Sequence, residues 1–334
     1  MTSRFSALAC VALLSMPFVA RAAAAAPDNV PPAPLAAPAV SVPYATTATM
    51  LATAMAGSRI VAVGDHGIVL LSDDGGKTQR QAKHVPVDVA LTSVSFVDAR
   101  QGWAVGHWGV VLRTTDGGES WQLQRSDTKT DRPLFAVHFF DADHGVAVGL
   151  WSLILETADG GVHWHTVDLP SPGGGQRADL NLQGLFVDAQ NRLYAPAERG
   201  TVLRSDDRGA HWRYLGTGYK GSFWTGVAGT DGTLFVGGLR GSLYRSADHG
   251  ETWQRVETHS KSSITSLALC GSSIVGVGLD GLVVRSNDGG ASFVSDVRAD
   301  RLPLTAVAFD AACHAVLYSR EGVVPEAQSQ ASAK

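Results

Sequence analysis

Aspartate carboxylates, which can bind cations or transfer protons, recur along this chain in the turn motif Ser/Thr-x-Asp-x-Gly-x-x-Trp. A hard cation such as calcium needs about six to eight oxygen ligands, whereas each motif supplies one or two carboxylates. We therefore favour a structural role, in which each carboxylate accepts hydrogen bonds from backbone N–H groups one or two residues on, and predict no metal or cofactor. The aspartates are Asp74, Asp116, Asp159, Asp207, Asp248 and Asp288.

A series of arginines directly precedes four of these motifs. In register on one surface, they would form a patch that binds anionic groups, because a guanidinium matches carboxylate and phosphate geometry. The interpretation we favour is that each pairs with an acidic residue of its own or the next repeat. The series consists of Arg113, Arg204, Arg245 and Arg285.

Catalytic chemistry is poorly supported by the sequence. Enzymes of the sialidase type need an arginine triad, a tyrosine nucleophile with a glutamate partner, and an acid. The string nearest to their Arg-Ile-Pro segment is Arg59-Ile60-Val61, which lacks the proline. No Ser-His-Asp arrangement, metal-ligand spacing or phosphate loop stands out. We predict no catalytic residues and no enzyme, although tyrosines do occur in predicted strands, at Tyr194, Tyr244 and Tyr318.

The spacing of the aspartate motif predicts the fold. The motif returns after about forty residues, and each interval holds short segments of alternating apolar and polar residues separated by tight turns. This pattern is typical of β-propeller blades with four antiparallel strands. We predict an all-β, seven-bladed β-propeller whose innermost strands begin near Met50, Leu91, Leu134, Leu182, Phe223, Ile264 and Leu304.

The seventh repeat lacks both an aspartate motif and a fourth strand. The segment Ala39-Val40-Ser41-Val42-Pro43-Tyr44 precedes the first repeat and belongs to no blade. A strand near Val40–Val42 in the last blade would close the ring and cover its open sheet edge. We therefore predict closure by this N-terminal strand.

The turn between the second and third strands of each blade carries side chains that turn formation does not require. Gly, Asn or Asp satisfies a two-residue turn, and the repeat places these turns on one face, opposite the aspartate motifs. We call this the second-turn face. Because exposed aromatic residues and arginines carry much of the energy of protein interfaces, we predict a partner-binding site there; the alternative is seven ordinary solvated hairpins. The site comprises His107, Trp108, Trp151, Glu198, Arg199, Arg240, Asp280 and Arg320.

The N-terminus has the pattern of a secretory signal peptide, with a positive Arg4, a short apolar run and the cleavage-type string Ala20-Arg21-Ala22. The predicted organisation is a signal peptide at 1–22, an Ala/Pro-rich linker at 23–38 that is disordered or extended, a propeller at 39–325 and a polar tail at 326–334. The protein is accordingly expected to be exported.

The charge balance argues against nucleic acid as the main partner. Removal of Arg4 and Arg21 with the signal leaves 25 basic residues against 31 acidic ones, a net charge of −6 with histidine neutral. Such a balance gives no attraction for a polyanion.

Two cysteines, Cys270 and Cys313, remain after signal removal. Both fall at the turn after the first strand, in the sixth and seventh repeats, so they lie on one rim of neighbouring blades. An exported location permits a disulfide between them. The alternative is two separate small residues, buried or in turns.

The string Gly102-Trp103-Ala104-Val105-Gly106, continued by residues 109–121 and preceded by residues 91–98, resembles the photosystem II stability and assembly factor family. The resemblance covers about residues 45–324. It implies an exported, seven-bladed, Asp-box propeller of the bacterial periplasm, or of the thylakoid lumen in a photosynthetic host.

The resemblance also implies a function. Members of this family are thought to bind a newly made reaction-centre subunit without catalysis, and they carry an arginine-rich patch. We therefore expect a scaffold that binds a protein partner, a subunit of a membrane complex, and meets the membrane only through that partner. The alternative is a carbohydrate-active propeller, either a lectin or a sialidase-like hydrolase.

Overall fold

The computed structural model describes residues 33–172 and 179–324, which form seven antiparallel sheets arranged as the blades of a propeller. The predicted signal peptide and polar tail lie outside these residues. The strands are β1 (Met50–Ala56), β2 (Arg59–Gly64), β3 (Val69–Ser72), β4 (Arg80–Gln81), β5 (Leu91–Phe96), β6 (Gly102–Gly106), β7 (Val111–Thr114), β8 (Gln122–Arg125), β9 (Leu134–Phe139), β10 (Gly145–Gly149), β11 (Ile154–Thr157), β12 (His165–Thr166), β13 (Phe186–Val187), β14 (Leu193–Pro196), β15 (Thr201–Ser205), β16 (Arg213–Gly216), β17 (Phe223–Ala228), β18 (Leu234–Gly238), β19 (Leu243–Ser246), β20 (Gln254–Val256), β21 (Ile264–Cys270), β22 (Ser273–Gly278), β23 (Leu282–Ser286), β24 (Val294–Val297), β25 (Leu304–Phe309), β26 (Ala315–Ser319) and β27 (Gly322–Val323).

Each of the first six blades is a meander of four consecutive strands, and the seventh has the three strands β25, β26 and β27. Six of the seven predicted starts of the inner strands agree with the structure. The exception is the fourth blade, where Leu182 forms only an isolated bridge to Ala197 and the strand proper begins at Phe186. The second strand of that blade contains Pro196, which has no N–H to donate to a neighbouring strand.

Hydrophobic clusters fill the space between neighbouring blades and hold the ring together. In one of them, Val61 and Leu71 of the first blade pack with Trp121, which comes from the turn motif of the second blade. The same relationship recurs around the ring, so the closing aromatic residue of one motif covers the preceding blade. The motif therefore seals the joint between two blades as well as turning the chain.

Threonine hydroxyls near the start of the inner strands also connect neighbouring blades. Thr92 Oγ1 donates to the carbonyl of Leu134 at 2.7 Å. Thr305 Oγ1 donates to the carbonyl of Met50, which joins the seventh blade to the first. Hydroxyl bonds of this kind thus connect several pairs of neighbouring blades, including the pair at the seam between the two ends of the propeller.

The prediction of an N-terminal strand in the last blade is wrong. The Val42 N–H donates to Gln81 Oε1 at 3.1 Å, and Gln81 Nε2 donates to the Val40 carbonyl at 2.9 Å. This amide side chain of β4 ties the segment to the first blade, and Pro43 removes a backbone donor that a strand would need. The chain then forms a single turn of 3-10 helix at Ala45–Thr47, which contacts both β4 and β27.

The predicted linker is also partly ordered. A short helix, Ala33–Ala36, lies within it, and Leu35 is buried in the hydrophobic cluster of the first blade. The expectation of a disordered or extended linker is therefore wrong for these residues. Among the described residues, no helix is long and apolar enough to cross a membrane.

A disulfide joins Cys270, at the end of β21, to Cys313, in the turn between β25 and β26, with their Cα atoms 5.7 Å apart. It links the sixth blade to the seventh. The bond thus fastens the blade that has the fewest strands to its neighbour.

Candidate functional site

The turns of the second-turn face share an uncommon backbone conformation. In each of the first six blades, at least one residue other than glycine between the second and third strands has a positive φ. A left-handed conformation costs an L-residue roughly 1 to 2 kcal/mol; Gly adopts it freely, and Asn, Asp and His adopt it more often than other residues. Four of the seven residues are Trp or Arg, which the conformation does not favour, so the fold does not select them. The seven are His66, Trp108, Trp151, Ser152, Arg199, Arg240 and Asp280.

The two tryptophans of this face differ in exposure. The Trp151 side chain is the more open of the two, with 61% of the residue exposed. Trp108 is partly buried and packs against the hydrophobic cluster of the first two blades. The prediction that both tryptophans are exposed is therefore correct for Trp151 and wrong for Trp108, because the side chain of Trp108 also covers the core beneath it.

Glu198 positions a neighbouring turn. Its two carboxylate oxygens accept hydrogen bonds from the N–H and the side-chain amide of Asn181, at 3.1 and 3.0 Å. Asn181 Oδ1 in turn accepts the N–H of Trp151 at 3.1 Å. Sequence reasoning missed Asn181, and it carried no signal, because the residue lies in the irregular segment before the fourth blade. It connects the third-blade turn to the fourth-blade turn.

The charged side chains of the second-turn face form few ion pairs with one another. Arg199 pairs with Asp179 at 3.3 Å, and Asp280 pairs with Arg301 at 2.7 Å, each on the rim outside the turns. Within the described residues, neither Arg240 nor Arg320 forms an ion pair, and both are exposed. Their positive charges are available to acidic groups of a partner.

The predicted binding residues are thus distributed around the face. The structure shows their placement on these turns, and which of them contact a partner stays a prediction. His107 is exposed beside Trp108.

The central opening lies at the middle of the second-turn face. A residue at or near the start of the inner segment of every blade lines a cavity of about 310 Å³, together with two turn residues. Among the described residues, this lining contains no acidic side chain and no tyrosine, and Arg320 is its one charged group. Its members are Leu51, Thr92, Phe135, Gln183, Trp224, Thr265, Leu279, Thr305 and Arg320.

The aspartates of the repeated motif close the turns on the opposite face. Asp116 Oδ1 accepts the N–H of Ser120 at 3.0 Å and the hydroxyl of Thr114 at 2.8 Å. The aspartate carboxylate thus accepts the backbone N–H of the residue four positions later in the chain. The expectation of a donor one or two positions later is therefore wrong. The same bonds recur at Asp74, Asp159, Asp207, Asp248 and Asp288.

These bonds hold the carboxylates in the charged form. The hydroxyl and the N–H of Thr78 lower the pKa of Asp74 to about 2, and those of Thr252 lower the pKa of Asp248 to about 2. The motif therefore acts as a turn-forming device whose oxygens are already in use.

The arginine series divides into two kinds of residue. Arg204 pairs with Asp206 at 2.5 Å and with Glu251 of the next blade at 3.4 Å, and Arg285 pairs with Asp296 at 3.4 Å. Within the described residues, Arg113 and Arg245 form no ion pair, and the Nε atom of each has no hydrogen-bond partner. Arg113 instead lies over the ring of Trp103, 5.4 Å from its centroid. A patch for anionic groups formed by all four stays a prediction.

The tyrosines considered for catalysis are poorly suited to act as nucleophiles. Tyr194 is fully buried, and burial together with the nearby Asp188 raises the pKa of its hydroxyl to about 12. Burial also raises the pKa of Tyr318, whose hydroxyl accepts a hydrogen bond from Gln79. A nucleophile needs the opposite shift.

A family model described as "Photosynthesis system II assembly factor YCF48" matches residues 40–129 and 77–174, which span the first three blades. The resemblance to the photosystem II assembly factor family is confirmed. No curated protein matches the chain.

Two solved structures of this family show the same fold as the chain. One, described as "YCF48 bound to D1 peptide", has a TM-score of 0.67 and 21% identity over 85% of this chain and 94% of its own. The other is YCF48 from Cyanidioschyzon merolae, with a TM-score of 0.65 and 18% identity over 86% of this chain and 98% of its own.

Proposed function

We propose that this protein is an exported, non-catalytic assembly scaffold that binds a segment of a protein partner on its second-turn face. The observation that carries the proposal is the left-handed backbone at six turns, occupied by large or charged side chains such as Trp151 and Arg240. Strained backbone of this kind is retained where function uses it. The similarity to YCF48, one structure of which holds a D1 peptide, supports a polypeptide as the ligand.

The chemistry of the face suits a partner segment that has both apolar and acidic side chains. Trp151 supplies an exposed apolar anchor, and Arg240 and Arg320 supply unpaired positive charge. A subunit of a membrane complex that exposes such a segment before it is assembled would fit this face. We propose that the partner is a subunit of this kind, in the periplasm or thylakoid lumen, and the disulfide Cys270–Cys313 supports an oxidising location.

The carbohydrate-active alternative is less well supported. A glycosidase needs a pair of carboxyl groups on either side of the bond that is cleaved. The described lining of the central opening offers none, and the buried tyrosines have raised pKa values. We therefore propose that the second-turn face binds and does not catalyse.

The experiment is affinity capture from detergent-solubilised membranes of the host, with the wild type, a Trp151→Ala/Arg240→Ala variant and a control. Val162→Ala is a matched control, because Val162 is also an exposed apolar residue of the third blade but lies in the motif on the opposite face. We expect the double variant to lose the captured subunit and the control to retain it. Equal capture by all three would overturn the proposal.

A further inference from the structure

Two departures from the repeat meet at the seam of the propeller. The seventh blade has no fourth strand among the described residues, and the first motif ends in Gln79 where the others have an aromatic residue. In the complete blades, the closing aromatic residue packs on the preceding blade, as Trp121 does on Leu71. For the first motif the preceding blade is the seventh, so the two departures face each other.

Together they leave a groove of about 770 Å³, which we call the seam groove. Val316 and Val323 of the seventh blade and Gln79 of the first motif line it, and Gly76 packs directly against Val316. Gln79 Nε2 donates to the Tyr318 hydroxyl at 3.3 Å, but Gln79 Oε1 is buried and has no partner. The groove lies on the motif face, opposite the second-turn face.

The outer edge of the seventh blade is prepared to accept another strand. The N–H of Val324 donates to the Leu317 carbonyl at 3.0 Å, which directs it towards β26. Because backbone groups alternate along a strand, the N–H and C=O of Val323 point away from β26. In the fourth blade the corresponding edge pairs with β16, where Val202 lies opposite Leu215.

We propose that the seam groove binds an extended segment of a partner polypeptide as the fourth strand of the seventh blade. The segment adds antiparallel to β27 through the backbone of Val323, and it places a large apolar side chain between Val316 and Gln79. The six complete blades indicate that the occupant is a strand, because each of them fills this position with a strand of two to four residues. The site lies on the other face from the proposed assembly site, so the two are tested independently.

The test uses a fluorescent peptide that copies residues 211–217, the fourth strand of the fourth blade, whose buried Leu215 packs with Trp253, the closing residue of the next motif. Anisotropy titration of the full chain is expected to give saturable binding with one site. The same peptide with an N-methyl group on Leu215 should bind at least tenfold more weakly, because methylation removes the backbone donor that faces the sheet edge and keeps the side chain.

Two protein variants locate the binding. Gln79→Trp places in the first motif the residue that the second to fifth motifs carry, so it should fold and fill the groove. We expect it to weaken peptide binding at least tenfold. Val162→Trp adds the same side chain to the motif face outside the groove and should leave the affinity unchanged.

Several outcomes would overturn the proposal. Equal affinity for Gln79→Trp and the wild type would place the peptide elsewhere. If the peptide binds neither the wild type nor a chain truncated after Val324, the edge does not accept a strand. If the peptide binds only the truncated chain, the groove is occupied by residues 325–334 and not by a partner. If peptide binding is lost as the protein dimerises at higher concentration, the occupant is a second copy of the chain.

Discussion

Trp151 and Glu198, which lie in turns of neighbouring blades, are connected through the side chain of Asn181. Glu198 accepts two hydrogen bonds from Asn181, and Asn181 accepts the N–H of Trp151 at 3.1 Å. The exposed indole of Trp151 is therefore presented on a turn that a part-buried polar network holds in place. A preorganised aromatic side chain loses little entropy on binding, which suits an interface anchor.

Replacement of this connector should weaken binding without unfolding the ring. We expect Asn181→Ala to cost about 1–3 kcal/mol of stability, because it leaves the Glu198 carboxylate without its amide partner. The variant should also capture less of the partner, because the turn that carries Trp151 is no longer held in place. Asn287→Ala is the control, because Asn287 is exposed in the sixth motif on the opposite face. Unchanged capture by the Asn181 variant would separate the network from binding.

The left-handed turn residues predict that stability and binding respond in opposite directions. Glycine adopts this conformation without the roughly 1–2 kcal/mol cost of an L-residue, although it gains entropy in the unfolded chain. We therefore expect Arg240→Gly and Trp151→Gly to unfold at a temperature no lower than the wild type while capture of the partner is lost. A clear drop in the midpoint of thermal unfolding would show that these side chains serve the fold.

The turn motif should show the reverse behaviour. Asp116→Ala removes hydrogen bonds to the N–H and hydroxyl of Ser120 and to Thr114. We expect a loss of about 1–3 kcal/mol in the free energy of unfolding, measured by urea denaturation. Capture by the folded fraction should be unaffected. Normal stability in this variant would contradict the turn-forming role of the motif.

The same carboxylates predict how stability depends on pH. The pKa values of Asp74 and Asp248 fall from the ordinary 3.8 to about 2 in the folded protein, so the folded state favours the charged form. Their contribution is complete above pH 3.8 and is lost as the pH falls through about 2. Urea midpoints measured from pH 7 down to pH 2 should decline in this range. An Asp74→Asn/Asp248→Asn variant should decline less steeply over the same range.

The disulfide predicts a dependence of stability on redox conditions. Cys270 and Cys313 are 43 positions apart, and closing a loop of this length stabilises a protein by about 2–4 kcal/mol. We expect Cys313→Ser to unfold at a lower temperature than the wild type, and a reducing agent to lower the midpoint of the wild type alone. Equal midpoints with and without reductant would contradict a stabilising bond.

The repeat predicted most of the fold because its signal is redundant. Six motifs and seven apolar segments give the same period, so one irregular blade does not disturb the count. The prediction that an N-terminal strand closes the last blade was wrong because it depended on a single segment. The amide of Gln81 binds both Val40 and Val42, and nothing in the sequence of β4 marks that side chain as a backbone partner.

The site was predictable in position and less so in detail. The chemistry of the turns depends only on local sequence, and it indicated which of their side chains are not required for folding. The burial of Trp108 and the connection from Glu198 through Asn181 depend on which blades become neighbours. Two of the arginines, Arg204 and Arg285, pair with acidic residues as the favoured interpretation expected, whereas Arg113 does not.

Site-specific crosslinking in host cells tests the central claim most directly. Benzoylphenylalanine in place of Trp151 reports contacts of the second-turn face, and in place of Val162 it reports contacts of the motif face of the same blade. We predict that the probe at position 151 forms a crosslink to one membrane-complex subunit, identified by mass spectrometry, and that the probe at position 162 does not. A crosslink to such a subunit from position 162 and none from position 151 would contradict the account.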